Sequence, residues 1–315
     1  MEKYVFDKSK LLNRKKGLSA FVRLKNGGDT IEITIESHIN IFDEIVILYN
    51  DCSDDSVLIC EELRDRYPNK IKIYEYEPKV FPFGSTEHKL EPCNSVHSFV
   101  NFSNYALQLT TYETVMKLDD DHYCPKIYQS RDMFLKGFKH GRINFFSGVN
   151  LAKKKNEIGI SSLYPFVGNG DHFIFDVTDE TYFTKNDICE EFHFGSIKFH
   201  YIGLRYFHLK YLRSDFGFHN VLSTEKGMCL FNEISNQYVY STNEFLDKLK
   251  THKILYGDKN DKNSKNVIIL YLMRFKLFRL IFTKKLIIAR INSAYFEFRD
   301  IIFSDNLFTI SRKYL

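Results

Sequence analysis

The stretch Lys117-Leu118-Asp119-Asp120-Asp121-His122 combines residue types and spacing that could do chemistry. It follows residues 114–118 (TVMKL), an apolar run that reads as a buried strand. Three consecutive carboxylates at a strand end repel one another. The carboxyl edge of a parallel sheet is also where open α/β folds bind ligands. A hard divalent cation relieves the repulsion, and Mg²⁺ or Mn²⁺ prefers such oxygen ligands. Held by one or two carboxylates, the ion keeps positions open for phosphate oxygens, so the pattern points to a nucleoside-diphosphate site. A solvated acidic turn or a helix cap would use the same residues, so the run has to be weighed with its surroundings.

A site of this kind needs a sheet to carry it. Residues 18–24 (LSAFVRL) and 44–48 (EIVIL) read as buried strands, and 70–76 (KIKIYEY) alternates with the period of a strand. Between them, Ile31, Ile35 and Ile39 line one face of a helix over 29–39 opened by Asp29 or Thr30. Residues 57–67 and 94–109 read as further helices, and 77–94 as a Pro- and Gly-containing loop. The first 121 residues thus run β-α-β-α-β-α-β, the pattern of a parallel sheet covered by helices. Strand-like pieces follow at 144–149, 172–177 and 197–208.

Residues 18–56 (LSAFVRLKNGGDTIEITIESHINIFDEIVILYNDCSDDS) resemble the start of glycosyltransferases of the GT-A fold, family 2. There a strand ends in a polar turn, a helix follows, and a second strand ends in a motif like D-N-G-S-T-D-G-T. Here that motif is Tyr49-Asn50-Asp51-Cys52-Ser53-Asp54-Asp55-Ser56, with Tyr49 where the family usually has an acid. Ser103-Asn104-Tyr105-Ala106-Leu107 looks like the family's A-R-N-x-G-L helix, and Asp119-Asp120-Asp121 like its D-x-D motif. The resemblance implies an α/β, GT-A (Rossmann-like) fold: a mostly parallel sheet flanked by helices, with a C-terminal helical extension. It implies Arg23 and Asn50 near the base and ribose, and Asp54, Asn104, Lys117 and Asp120 in the same nucleotide-sugar site. Asp119 would face the ribose beside the metal, and Asp121 would bind the Mn²⁺ or Mg²⁺ bridging the two phosphates.

The implied donor is a nucleotide-diphosphate sugar, with UDP favoured. The implied acceptor is an oligosaccharide or lipid-linked glycan of bacterial lipopolysaccharide or capsule. An inverting transfer also needs a carboxylate base for the acceptor hydroxyl. The family places it downstream in an E-D-type motif, whose nearest match is Glu190-Glu191 in Asp187-Ile188-Cys189-Glu190-Glu191-Phe192. Asp171, in Val167-Gly168-Asn169-Gly170-Asp171-His172, is a rival at the place of the family's G-G-N turn. His208 follows the strand over 197–206 and is implied to complete the metal site, and Lys210 could reach a phosphate. A lone histidine also serves packing, and His200 and His219 rank behind His208 as ligands.

Composition sets the outer bounds. At 315 residues, with 44% hydrophobic and 27% charged residues, the chain has an ordinary globular mix and length for one α/β domain with an appendage. A net charge of +4 is too balanced for a dedicated nucleic-acid binder. Nine basic and three acidic residues from 266 onward put +6 on the tail and leave −2 on the rest. The expected organisation is a catalytic domain over 1–256, with a nucleotide-sugar half at about 16–125 and an acceptor half at about 126–256. A polar linker over 257–266 and a basic, apolar helical tail over 267–315 follow. The tail suits either anionic lipid or packing on the domain or a second subunit. Six cysteines without a C-x-x-C pair, and an N-terminus lacking the apolar core of a signal peptide, fit reduced thiols in a cytoplasmic protein, peripheral on the inner membrane face if the tail binds lipid. Two other classes stay open at this point. A nucleotidyltransferase would want a Gly-rich, basic loop after the first strand, which Arg23-Leu24-Lys25-Asn26-Gly27-Gly28 approaches. A non-catalytic glycan- or lipid-binding module could also keep the fold.

Overall fold

The computed structural model describes residues 2–82, 85–155, 157–163, 165–167, 172–185, 190–195, 198–214, 217–218, 232, 236–250 and 297–302. Its first half is built around β1 (Lys15–Leu24), buried from Leu18 onward. Alternate residues feed two cores. Ala20, Val22 and Leu24 join Ile45 and Ile47 of β2 (Glu44–Tyr49) on one face, whereas Phe21 joins Val46 and Leu48 on the other. The first face is covered by Ile31 and Ile35 of α1 (Ile31–His38) and Leu63 of α2 (Ser56–Arg66). Residues of this kind on both faces make the nearly continuous apolar runs of a parallel sheet. β2 pairs in parallel with β1 and with β3 (Ile71–Glu75).

A short α3 (Thr86–Leu90), capped by Ser85, lies within the segment expected to be a loop. α4 (Phe99–Leu109) then covers the second face, placing Phe99, Phe102, Ala106 and Leu107 against it. The helix begins five residues later than 94 because Asn101 donates to the carbonyls of Cys93 and Ser95, while the Tyr76 hydroxyl donates to that of Val96. Those bonds hold the preceding segment outside the helix. α1 also starts late, at Ile31; the Asp29 carboxylate accepts instead from the Ser214 amide and hydroxyl. β4 (Tyr112–Leu118) returns to the free side of β1, again in parallel. The order β3-β2-β1-β4 places a topological switch point between β1 and β4, beyond whose carboxyl ends open α/β sheets form their ligand crevice.

The second half is mixed. β5 (His122–Tyr123) follows the acids directly, and α5 (Arg131–Phe134) leads toward β6 (Ile143–Lys154). β7 (Glu157–Ser161) and β8 (Phe166–Val167) pair antiparallel with β6. β9 (Phe173–Asp176) runs antiparallel between β4 and β6, joining the halves into one sheet. β10 (Tyr182–Lys185) and β11 (Glu190–His193) form a separate hairpin. β12 (Phe199–Tyr211) pairs in parallel with β6 and antiparallel with β5, setting His208 opposite His122. β13 (Val239–Tyr240) pairs antiparallel with β7 and precedes α6 (Thr242–Lys250).

The expected linker over 257–266 and most of the tail lie outside the described residues. Residues 297–302 are helical and dock on the sheet. Phe298 and Ile301 are fully buried, and Phe298 meets Phe245 of α6 edge-on at 4.9 Å between centroids. Glu297 accepts the Leu204 amide at 3.0 Å, beside the irregularity in β12 where Gly203 has φ +97°. Cys52, Cys60, Cys93 and Cys124 are free thiols, while Cys189 and Cys229 lie outside the described residues. Among the described residues no helix is long and apolar enough to cross a membrane.

Candidate active site

β4 ends at Leu118 and delivers Asp119, Asp120 and Asp121 to the crevice, where the three carboxylates turn to different partners. Asp120 Oδ1 accepts from Arg213 Nη1 at 2.9 Å, while Arg213 Nη2 donates to the Asn26 carbonyl at 2.8 Å. The Asp120 carboxylate packs against Gly27, where a Cβ would collide with Oδ2. This fixes the use of the Asn26-Gly27-Gly28 turn: it lets an acid approach the backbone closely, and Arg213 then ties that turn to the end of β12. Asp119 lies 3.5 Å from Arg23 Nη2 and 3.5 Å from His172 Nδ1. Asp121 Oδ1 lies 3.2 Å from His208 Nε2 and 4.0 Å from His122 Nε2.

The repulsion expected within the acid run is therefore met in large part by side-chain cations. Arg213 compensates Asp120, and Arg23 stands beside Asp119. Asp121 is different: it is buried, and its Oδ1 has no hydrogen-bond partner. His208 donates through Nδ1 to Asn150 Oδ1 at 2.6 Å, and the tautomer this bond selects leaves Nε2 facing Asp121. Metal-bound imidazoles are held in this way, with the remote nitrogen donating to an oxygen. His122 is fully buried and stacks on Tyr206 at 3.8 Å, with hydrogen-bond partners at neither ring nitrogen. Asp121, His122 and His208 present ligand atoms within 4.8 Å of one another, as do Asp119, His122 and His172. This donor set fits a divalent ion.

Electrostatics follow from the same contacts. Burial pushes the Asp119 carboxyl up, but Lys117, His172 and Arg23 outweigh it and hold the group well below the usual range. Burial, helped by the charges of Asp121 and Asp119 against the pull of Arg213, raises Asp120. Burial also opposes ionisation of Asp121, but His208 and Arg213 prevail and lower it. Burial, then neighbouring His172, pushes His122 far down and keeps the ring neutral, the form that can ligate a metal.

Glu190 joins the site from the β10–β11 hairpin. It accepts from Arg23 Nη1 at 2.9 Å, Lys117 Nζ at 3.0 Å and the Ser103 hydroxyl at 2.8 Å. Burial opposes its charge, but Arg23 and Lys117 hold its carboxyl down at about 2. Arg23 also stacks over the Phe99 ring at 4.6 Å. A base held at such a low proton affinity gains little by taking a proton at neutral pH. Glu191 alternates to the other face of the strand and is exposed.

The other sequence-selected residues occupy distinct places. Asn50 donates to the carbonyls of Tyr76 and Pro78 and accepts the Val80 amide, clamping the turn after β3. Asp54 accepts the Gly28 amide at 2.9 Å as well as the amide and hydroxyl of Ser56, bracing the two loops at the rim. Asn104 exchanges hydrogen bonds with the backbone of Phe183, fixing β10 on α4. Lys210 lies near the end of β12, half-buried. His200 bonds the Gly137 carbonyl. Asp171 and His219 lie outside the described residues.

The sequence pattern gives no role to His172, Arg213, Ser103, Asn150 or His122. His172 could have been noticed as a polar residue directly before the apolar run Phe173-Ile174-Phe175, and Arg213 as a cation five residues past His208. Ser103 opens the motif-like segment 103–107 without a role of its own there, and nothing local marks Asn150.

A parallel sheet in this order, with acids at its switch point, has the architecture of the GT-A fold. Residues 3–153, just under half of the chain, match the model of a family described as beta-1,4-N-acetylgalactosaminyltransferase (CgtA). No curated protein matches significantly. Among solved structures, S. aureus TarS 1-349 is 14% identical, with 91% of this chain and 90% of that one covered and a TM-score of 0.38. Glucosyl-3-phosphoglycerate synthase from Mycobacterium tuberculosis, in complex with Mn²⁺, UDP and glucosyl-3-phosphoglycerate, is 16% identical over 44% of this chain and 46% of that one, with a TM-score of 0.26.

Proposed function

We propose that the protein is a glycosyltransferase that uses a divalent ion to move a sugar from a UDP-sugar to a glycan acceptor with inversion at C1. The observation that carries the reading is Asp121: a buried carboxylate at the switch point, whose Oδ1 is left out of the hydrogen-bond network and faces Nε2 of His208 at 3.2 Å. Asp121 and His208 would hold Mn²⁺ or Mg²⁺, which when bound supplies Lewis-acid neutralisation of the departing diphosphate. The chain's own part is placement. Arg23 and Lys117, held in position by Glu190 and Ser103, set positive charge along the crevice wall. Preorganised charge of this kind is usually a large term in catalysis.

The description of the matching family makes UDP-N-acetylgalactosamine the first donor to test. A β-linked product from an α-linked nucleotide sugar requires inversion. Glu190 serves in this reading as the positioning residue for Arg23 and Lys117. Asp171, next in sequence to His172, is the remaining candidate for the base, with Glu191 behind it. The acceptor is proposed to be a bacterial lipopolysaccharide or capsule glycan met at the cytoplasmic membrane face, where the +6 tail would add attraction to anionic lipid.

The test is release of UDP from a panel of UDP-sugars with Mn²⁺, Mg²⁺ or EDTA, followed by NMR assignment of the product anomer. Metal-supported UDP release and a β-linked product are expected. Full activity in EDTA rejects the role given to Asp121, and an α-linked product rejects inversion. Pyrophosphate-dependent breakdown of the donor would instead mark a nucleotidyltransferase.

A further inference from the structure

His122 belongs to neither the acid run nor the late strand, yet the fold brings it to both. Its two-residue strand pairs with β12 so that His122 and His208 are direct cross-strand neighbours, with ring centroids 5.5 Å apart. Neighbouring residues on facing strands share a face of the sheet, so both imidazoles approach the Asp121 carboxylate from one side. The His122 ring is fully buried, is held in plane by the Tyr206 ring and has no hydrogen-bond partner at either nitrogen. Buried polar groups without partners are rare in native proteins, and a bound ion is one of the standard explanations. Oδ1 of Asp121 is in the same position, buried and without a donor.

We infer that His122 is a third protein ligand of the ion, and that Asp121, His122 and His208 together select a first-row transition metal such as Mn²⁺ over Mg²⁺. The choice of Asp121 over Asp119 as the shared acid rests on burial and on the oxygen facing the rings. Both acids have an arginine nearby, Arg23 3.5 Å from Asp119 and Arg213 3.8 Å from Oδ2 of Asp121, but only Oδ1 of Asp121 is buried without a hydrogen-bond partner, with the His208 and His122 nitrogens at 3.2 and 4.0 Å. Two imidazoles and one carboxylate are a donor set that would suit a first-row transition ion and would leave positions for other ligands. Mg²⁺ demands near-ideal octahedral oxygen coordination and gives up water reluctantly, so two nitrogen ligands disfavour it. Three protein ligands also hold the ion before any nucleotide arrives.

This inference rests on the metal-dependent reading of the site, and the experiment separates the two. The chain is titrated with Mn²⁺ in the absence of nucleotide and followed by EPR, with pulsed EPR counting the directly bound imidazole nitrogens. Two nitrogens are expected in the wild type and one in His122→Phe, which keeps a ring over Tyr206 and removes both nitrogens. Loss of this ligand should weaken Mn²⁺ binding at least about tenfold, and Mg²⁺ should displace Mn²⁺ only in large excess. One bound nitrogen in the wild type overturns the inference, as does unchanged Mn²⁺ affinity in His122→Phe or equal affinity of the wild type for Mg²⁺. The wild-type nitrogen count decides alone if the variant does not fold. UDP release is measured separately. Metal-supported release with one nitrogen bound defeats this inference and leaves the proposed function standing. Two nitrogens bound, without transfer from any donor, supports the inference and defeats the function.

Discussion

In the half built by β1 to β4, side chains at the crevice stand at strand ends: Arg23 on β1, Lys117 and the three acids on β4. From β6 onward each contributor comes from a different element: Asn150 from β6, His172 from the entry to β9, Glu190 from the hairpin, and His208 and Arg213 from β12 and its exit. The first half presents charge, and the second half supplies partners for that charge. Of the three acids, Asp120 receives Arg213 from the second half, Asp121 receives His208 with Arg213 farther off at 3.8 Å, and Asp119 receives Arg23 from its own half and His172 from the other. The lesson is that an acid triplet at a sheet edge is not one unit. Each carboxylate has its own set of neighbours, and in the proposed function Asp121 is the one that takes the ion.

That division can be broken most severely at Asp121. Asp121→Asn should lower kcat/KM at least about 100-fold, the scale of losing a preorganised electrostatic group, and abolish nucleotide-independent Mn²⁺ binding. Circular dichroism should show the fold intact. Activity near the wild-type level would mean that Asp120 or Asp119 can take over, and the distinction among the acids would collapse.

Next comes the tie between the halves. Arg213→Ala leaves Asp120 buried without its cation, a loss of about 3 kcal/mol in urea unfolding. Asp120→Asn combined with Arg213→Ala should recover a good part of that loss, since the double change removes the stranded charge. If the two single losses simply add, Arg213 acts through its bonds to the Asn26 and Lys25 carbonyls instead.

Glu190→Gln is milder. It frees Arg23 and Lys117 from their common acceptor, so donor KM should rise by about tenfold, an assumed scale of one buried charged hydrogen bond. Asp171→Asn should cut kcat instead. The opposite split would exchange the two roles. A pH effect accompanies this pair. Glu190 sits at about 2 in the folded protein against an ordinary value of 4.5. A lowered folded-state value means that the stabilisation is complete above the unfolded value and is lost as pH falls from about 4.5 toward 2. Acid unfolding of Glu190→Gln should therefore be less steep across that window than that of the wild type.

The smallest effect expected is at the rim. Asp54→Ala removes acceptors from Gly28 and Ser56 at the start of α2, and about 1 kcal/mol of stability should go with them. Donor affinity should hardly move if Asp54 only braces the loops. A large change in KM would place Asp54 in contact with the nucleotide sugar, as its sequence motif suggests.

The same contrast explains what could be read from the chain alone. β1 to β4 carry period-two or continuous apolar runs, their helices carry apolar residues at helical spacing, and the acids follow β4 without interruption. Local pattern is enough for all of these, apart from ends such as the start of α4, which the Asn101 side chain sets. The partners are hard to see because strand pairing and the hairpin bring them from far along the chain, 93 residues between Arg213 and Asp120 and 167 between Glu190 and Arg23, with no spacing rule linking them. His208 stood out because it ends a long strand-like run. His122 was in view but silent, because only the β5–β12 register shows that it faces His208.

One missing methyl group links these parts. Position 27 has no room for a side chain because an oxygen of Asp120 occupies that space, and Asp120 in turn holds Arg213, which grips the carbonyl of residue 26. The four groups form a closed ring of contacts across the crevice floor. An alanine at position 27 would press on a loop of β1, yet its first consequence would be felt on the far wall, at the exit of the strand that carries His208.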